Sequence, residues 1–337
     1  MDMKMLQTRF ASLSETEKQI VYKQVIRLVD DIDFDLNTME LKNRESIVLA
    51  CPHCLGKSIK KNGVVKGAQR FVCKECKKNF RANTGSATAH LKKREKFKVY
   101  IPYFIAGHSI RKCAELTGIC IQTSFDWRHK ILSAFNKQQD EVLLSGICES
   151  DDIFFTHSNK GARVLGRKGR KRGKGIHEPK SRGISDEKVA VIVSSDRKGN
   201  KHLRVAKRGR ISVKDIKKVL DGKLEKGSVL CTDAHRSYTA YAKAANIEHH
   251  TIKASAKEYK RGNYHVQHVN YIASDLKQWI GKFNGVSTKY LQNYLNWYAV
   301  QGLIEKAAVP PKATASLITM STSAWSIFKE IPLLEYI

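Results

Sequence analysis

Apolar positions along this chain follow two different periods, and the switch between them divides it. Residues 13–31, LSETEKQIVYKQVIRLVDD, put Leu13, Ile20, Val21, Val25, Leu28 and Val29 on one helical face, and Ser14 with Glu17 has capping-box spacing. That stripe predicts a helix used for packing or self-association. Residues 93–136 are also helical: KREKFKVYIPYFIAG reads as one helix, broken or kinked near Pro102, and SIRKCAELTGICIQTSFDWRHKILSAF as helix, turn at Thr117-Gly118, helix. From residue 146 the apolar runs shorten. GICESDDIFF (146–155), KVAVIVS (188–194), KHLRV (201–205), SVLC (228–231) and residues 249–253 read as strands, with a hairpin turn over Asp196–Asn200. Helices are expected at 212–224, capped by Ser212, and at 235–245, 264–283 and 290–304.

Over 146–283 the order is three strands, helix, strand, helix, strand, helix. This is the order of a ribonuclease-H-like α/β core, a mixed sheet with flanking helices. In that order the first strand lies beside the strand ending at Asp233, and their carboxylates meet at the sheet centre. Strand C-terminal ends are where such sheets place ligand sites.

Two modules precede this core. CPHC at Cys51–Cys54 and CKEC at Cys73–Cys76 are separated by eighteen residues, and the segment between reads as two short strands with turns at Asn62-Gly63 and Lys66-Gly67. Two CxxC knuckles supply four thiolates to one tetrahedral ion, so a zinc ribbon with structural Zn2+ on Cys51, Cys54, Cys73 and Cys76 is predicted. The following helix pair has helix-turn-helix spacing and carries Gln122, Thr123, Ser124, Asp126, Arg128 and Lys130 toward a groove, of which Gln122, Thr123, Arg128 and Lys130 are the expected DNA contacts. The predicted organisation is an N-terminal helical segment (1–46), zinc ribbon (47–85), helix-turn-helix region (90–140), core (145–285) and C-terminal helices (286–337).

Charge changes the picture next. The 61 Lys and Arg outnumber 32 Asp and Glu, for a formal net charge of +29, which points to nucleic acid as partner through phosphate contacts. Residues 160–183 are a Gly-rich loop with ten Lys and Arg against one acid, too polar to bury a core; Arg167, Lys168, Arg170, Lys171 and Arg172 are its candidate DNA contacts. No apolar run approaches the ~20 residues of a membrane span, and the N-terminus lacks a secretory h-region. Cys113, Cys120, Cys148 and Cys231 lie singly, which suits a reducing compartment. A cytoplasmic, nucleoid-associated protein is expected.

Against that background the acids Glu149, Asp151 and Asp152 stand out. Such a cluster reads either as a divalent-metal site or as a solvated strand end, and Asp233 either as a ligand or as the N-cap of the next helix.

The run YHVQHVNYIASDLKQWIGKFNGVSTKYLQNYLNW resembles transposases of insertion-sequence family 1595, in the DDE superfamily. CESDD resembles that family's first acidic motif and TDAHRSY its second, which implies Asp151 and Asp233 as catalytic metal ligands. Where many relatives carry Glu followed seven residues later by Lys, this chain has Asn270 and Lys277, so the implied set is Asp-Asp-Asn-Lys. Seven residues is nearly two helical turns, so Asn270, Ser274 and Lys277 share a face, whereas Asp275 lies about 140° from Asn270. An Asn oxygen binds a hard cation without charge. Glu149, on the strand face of Asp151, is the expected helper supplying the missing charge, or a partner of basic-loop side chains. His265 and His268 carry no assigned role. The resemblance implies a DNA transposase with two catalytic Mg2+ ions, Mn2+ as substitute, on Asp151, Asp233 and Asn270. Its expected partners are double-stranded transposon ends and target DNA, and it is expected to act as a homodimer or higher assembly. The competing readings are an inactive DNA-binding regulator and a nuclease that only hydrolyses.

Overall fold

A computed structural model describes residues 8–9, 11–18, 36, 38–40, 50–162, 183–253, 256–305, 307, 314–315 and 318–319. Two compact units are present, one drawn from residues 1–134 and 303–325 and one from 135–302 and 326–337. Of the helix expected over 13–31, only the start is described. There the capping box forms, with the Ser14 N–H donating to Glu17 Oε2 at 2.9 Å and the Glu17 N–H to Ser14 Oγ at 3.3 Å.

In the first unit, β1 (Ile59–Val65), β2 (Ala68–Cys73) and β3 (Asn79–Arg81) form a three-stranded antiparallel sheet. Lys66 and Gly67, at φ 51° and 72°, make the β1–β2 turn. Asn62-Gly63 is not a second turn, as its sequence suggested. The pairing shifts between Lys61 and Val64, so Gly63, at φ 70°, makes a bulge inside β1. Phe71 and Phe80 stack at 5.5 Å and pack with Cys51 and Cys73. So small a core needs a cross-link.

Three helices follow: α1 (Arg94–Ile105), α2 (Ile110–Thr117) and α3 (Ile121–Ala134). Pro102 lies inside α1 without ending it. Ser109 caps α2 by accepting the Lys112 N–H at 3.2 Å. Gly118, left-handed at φ 64°, ends it: its own N–H donates to Glu115 O and the Ile119 N–H to Ala114 O. Trp127 of α3 meets Phe97 and Tyr100 of α1 edge-on at 5.1 and 5.5 Å, while the Tyr100 hydroxyl donates to Ser124 O at 2.9 Å. This packing turns most of α3 inward and corrects the expected set of DNA contacts. Arg128 is 1% exposed, donating to His108 O and Cys113 Sγ with its guanidinium 5.8 Å from the Phe104 ring. Lys130 is 7% exposed and donates to Ala89 O at 2.9 Å. Neither can reach a groove, and Ser124 is buried as well. Gln122 remains exposed and Thr123 partly so, on the first turn of α3.

The second unit begins with α4 (Asn136–Glu141). It continues as β4 (Ile147–Thr156), β5 (Lys188–Asp196), β6 (Lys201–Arg208), α5 (Val213–Leu220), β7 (Val229–Asp233), α6 (Arg236–Ala244), β8 (Glu248–Ile252), the short β9 (Lys260–Arg261) and β10 (Tyr264–His265), α7 (Gln267–Gly281) and α8 (Leu291–Glu305). The five-stranded sheet has the order β6-β5-β4-β7-β8, antiparallel from β4 through β6 and parallel from β4 through β8. This is the ribonuclease-H-like order read from the element sequence. Helix α5 stops at Leu220, four residues before its expected end. Leu224 instead bridges to Leu144 beside the sheet.

Strand alternation sorts the core into two layers. Ala190, Ile192 and Leu230 face α5 and α6, packing on Ile216, Val219, Leu220, Tyr238 and Tyr241. The opposite face takes α7 and α8, with Trp279 of α7 against Trp297 at 5.0 Å and Phe283, just past the end of α7, against Tyr294 at 4.9 Å. Strand β6 is an edge, and two glutamines close it. Gln292 of α8 accepts the Val205 N–H at 2.8 Å and donates to Leu203 O at 2.9 Å. Gln139 of α4 accepts the Leu203 N–H at 3.2 Å and donates to Lys201 O at 3.1 Å. Among the described residues no helix is long and apolar enough to cross a membrane.

Truncating a buried, hydrogen-bonded arginine removes packing and strands its acceptors. Arg128→Ala is therefore expected to destabilise the first unit by about 2–4 kcal/mol, while Gln122→Ala leaves its melting temperature unchanged; calorimetric unfolding checks both.

Candidate active site

Strands β4 and β7 run parallel with Glu149 opposite Cys231, so continuing the register two residues sets Asp151, midway along β4, beside Asp233, the last residue of β7. Asp151 is half-buried and accepts the Asp152 N–H at 2.8 Å. Burial pushes its carboxyl up to about 7; the charges of Asp152 and Asp233 add to this, and the Asp152 N–H and Lys277 oppose it. Asp233 accepts the His235 N–H at 3.0 Å. The N-cap position of α6 falls to His235, not to Asp233. Asp152 pairs with Ile192, which places it on the α5–α6 face, away from Asp151. Burial and then the Asp233 charge raise its carboxyl too, with His235 opposing.

Helix α7 lies on the Asp151 face. Val269, Ile272, Ala273 and Leu276 are its buried stripe, and Asn270, Ser274 and Lys277 stand together on its exposed side, as the seven-residue spacing required. Lys277 is close enough to Asp151 to act on its titration. Asp275 is turned away and accepts the Tyr298 hydroxyl at 2.6 Å.

Glu149 shares the face of Asp151, but its oxygens are taken. Oε2 accepts the N–H groups of His268 and Val269 at 2.9 and 3.2 Å, the first turn of α7. Oε1 lies 2.8 Å from His268 Nδ1 and 3.0 Å from Arg197 Nη1. Glu149, His265 and His268 form a group of ligand type. Its centre holds Arg197, whose Nη1 is also 2.8 Å from His265 Nε2 and 2.6 Å from His268 Nδ1. Glu149 is thus not a free acid beside the Asp pair, and residues 163–182 of the basic loop, its other expected partner, lie outside the described residues. Arg197 was invisible in the sequence, a polar residue in a hairpin turn that its spacing did not tie to anything.

Lys160, at the start of the basic loop, donates to the carbonyls of Phe283, Asn284 and Gly285 at 3.4, 3.0 and 2.7 Å, in the turn after α7. Arg167, Lys168, Arg170, Lys171 and Arg172 lie outside the described residues. In the first unit, the four ribbon cysteines converge. Cys51 and Cys76 Sγ are 3.6 Å apart, as are Cys54 and Cys73, and all four lie within 4.8 Å of one another. Thiolates at ~2.3 Å from one tetrahedral ion would stand at about this separation. The His53 N–H approaches Cys51 Sγ at 3.4 Å. Burial opposes ionisation of Cys51, yet the His53 and Cys54 N–H groups bring it down to about 7, toward the thiolate a metal needs.

Comparison with known proteins meets this geometry at the core. Residues 143–299 match the model of the ISXO2-like transposase domain of the IS1595 DDE group. The core belongs to that transposase family. A relative from Halobacterium salinarum, described as an uncharacterized protein in transposable element ISH50, is 26% identical over 255 residues, 74% of this chain and 84% of its own length. Among solved structures, the Mos1 strand transfer complex is 12% identical over 65% of this chain and 76% of that one. The Mos1 mariner paired end complex with Mn is 13% identical over 64% and 78%. Both superpose poorly, at a TM-score of 0.22. The matched domain contains β4, β7 and α7 and so all the core residues named above.

Because its folded-state pKa is raised, Asp151 makes the metal-free fold lose stability as pH climbs from about 4 through 7. Asp151→Asn is expected to raise metal-free stability by about 1–3 kcal/mol at pH 8, with the gain vanishing toward pH 4; thermal melts in chelator across that range measure it.

Proposed function

We propose that this transposase binds the terminal inverted repeats of its insertion sequence, cuts DNA at the element's ends and joins the freed 3′-OH ends to target DNA. The observation that carries the reading is the Asp151–Asp233 pair on adjacent parallel strands, with Asp151 pushed up to about 7 by burial and neighbouring carboxylates. A buried carboxylate crowded by neighbouring carboxylate charge is suited to a hard divalent cation, which removes the repulsion. Asp151, Asp233 and Asn270 would hold two Mg2+ ions, or Mn2+ in their place. When bound, such ions supply positive charge to the entering and leaving oxygens and ease deprotonation of water or a 3′-OH. The chain's own groups do the rest. Lys277, on the same face of α7 as Asn270, holds a phosphate oxygen against Asp151. Asn270 contributes an oxygen without charge, leaving the site one negative charge short of an Asp-Asp-Glu set.

Recognition is assigned to the first unit. Gln122 and Thr123, on the first turn of α3, read base edges, and structural Zn2+ on Cys51, Cys54, Cys73 and Cys76 stiffens the ribbon. The basic loop, through Arg167, Lys168, Arg170, Lys171 and Arg172, contacts phosphates without regard to sequence. Joining two ends needs two cores together, so the active species is a homodimer or larger assembly on DNA.

Asp151→Ala and Asp233→Ala are each expected to abolish cleavage and strand transfer of repeat-ended DNA while leaving repeat binding intact in gel-shift assays. Full cleavage by both would sink the assignment. Asn270→Glu is expected to lower the Mg2+ needed for half-maximal cleavage; an unchanged Mg2+ titration removes Asn270 from the site. Purified protein should carry one zinc per chain by elemental analysis. Cys73→Ser should lose that zinc and repeat binding with it, while the core keeps its own thermal transition.

A further inference from the structure

Glu149 is 1% exposed, and its neighbours explain why a carboxylate stays there. It sits two residues before Asp151 on β4, so about 7 Å of extended strand separates the two on one face. Its Oε2 takes the first-turn N–H groups of His268 and Val269, which have no partner within a helix. Arg197 reaches in from the β5–β6 turn to Oε1 at 3.0 Å, and also donates to Asn263 O at 3.1 Å and His265 Nε2 at 2.8 Å. One carboxylate and one guanidinium therefore tie together β4, the β5–β6 hairpin and the entry to α7.

We propose that Glu149 and Arg197 are positioning residues: they set the rotation and height of α7, and with it Asn270 and Lys277, over the Asp151–Asp233 pair. Each helical residue turns ~100° and rises ~1.5 Å, so fixing the Val269 N–H fixes the direction in which Asn270 leaves the helix and, two turns on, that of Lys277. The same strand supplies both the anchor of the helix and the first acid of the site. Spacing between them is thus set by the pleat of β4, not by a loop. A carboxylate at this end of α7 also meets the positive end of the helix dipole. Glu149 is not needed as a ligand for this, since both of its oxygens are already engaged. The inference rests on the reading of Asp151, Asp233 and Asn270 as the metal-holding set.

The test uses the full chain with its zinc, and compares Glu149→Gln, Arg197→Met and Asp151→Ala. Positioning predicts that both Glu149→Gln and Arg197→Met speed amide exchange over residues 267–277 by about tenfold or more in metal-free protein. It also predicts that both slow single-turnover cleavage of repeat-ended DNA by at least about tenfold, with repeat affinity unchanged. The two substitutions remove opposite charges. If Glu149 acts only through its field, they will shift the Mg2+ requirement in opposite directions and leave exchange at the wild-type rate, which overturns the proposal. Faster exchange with wild-type cleavage overturns it too. His268→Ala, at a side chain 58% exposed, removes one contact of the cluster without burying a mismatch. It should show both effects more weakly, and it keeps the test decisive if Glu149→Gln does not fold. Wild-type cleavage by Asp151→Ala would defeat the underlying site reading instead, independently of the exchange data.

Discussion

Two carboxylates held side by side in a partly buried position repel one another, and water is not there in bulk to screen them. The parallel pairing of β4 with β7 imposes that arrangement on Asp151 and Asp233, because the register carries the middle of β4 alongside the C-terminal end of β7. Much of the core can be understood as what makes this tolerable. Strand β5 pairs along the whole of β4, so the backbone beneath the acids cannot relax outward. Apolar layers on both faces keep the sheet rigid. Lys277 supplies a nearby positive charge, and the rest of the compensation falls to an incoming cation. A site built this way is least comfortable when empty, which is a usual property of a place that binds metal well.

The third strand-borne acid, Glu149, solves a different problem. Helix α7 meets the sheet with its N-terminal end, where N–H groups need acceptors and the dipole is positive. A carboxylate from the sheet meets both needs. Its burial is offset by Arg197, so the acid and its counter-ion act as a joint between strand, hairpin and helix. The same carboxylate chemistry thus serves two ends on one strand: Asp151 is only partly compensated and Glu149 is fully engaged. The difference lies in what the neighbouring element presents, a second acid in one case and a helix start in the other.

Much of this was legible in the sequence because it depends on local period. The alternation in GICESDDIFF put Glu149 and Asp151 on one face and Asp152 on the other, and the register bears that out. The seven-residue interval put Asn270 and Lys277 on one side of α7, and their shared exposure agrees. What the sequence withheld depends on packing across long separations. Arg128 and Lys130 have the composition of a DNA-reading face, but the Trp127 contact with Phe97 and Tyr100 rotates them into the interior. Asn62-Gly63 has the composition of a turn, yet the β1–β2 pairing absorbs it as a bulge. Arg197 sits some fifty residues from Glu149 and some seventy from His265 and His268, and only the folded sheet brings them together.

The two glutamines on β6 carry a consequence of their own. The Lys201 C=O, both backbone groups of Leu203 and the Val205 N–H are what a passing strand from another molecule would use to extend the sheet, and Gln139 and Gln292 already occupy them. Two amide side chains thereby act as a dummy strand. They cost no extra backbone, and they come from helices on either side of the core in sequence, so the seal is complete only once the chain has threaded through to α8. An incompletely folded copy leaves that edge open and exposed to aggregation, whereas a finished one does not. Helix α8 is thus a check on completion as well as a wall of the core.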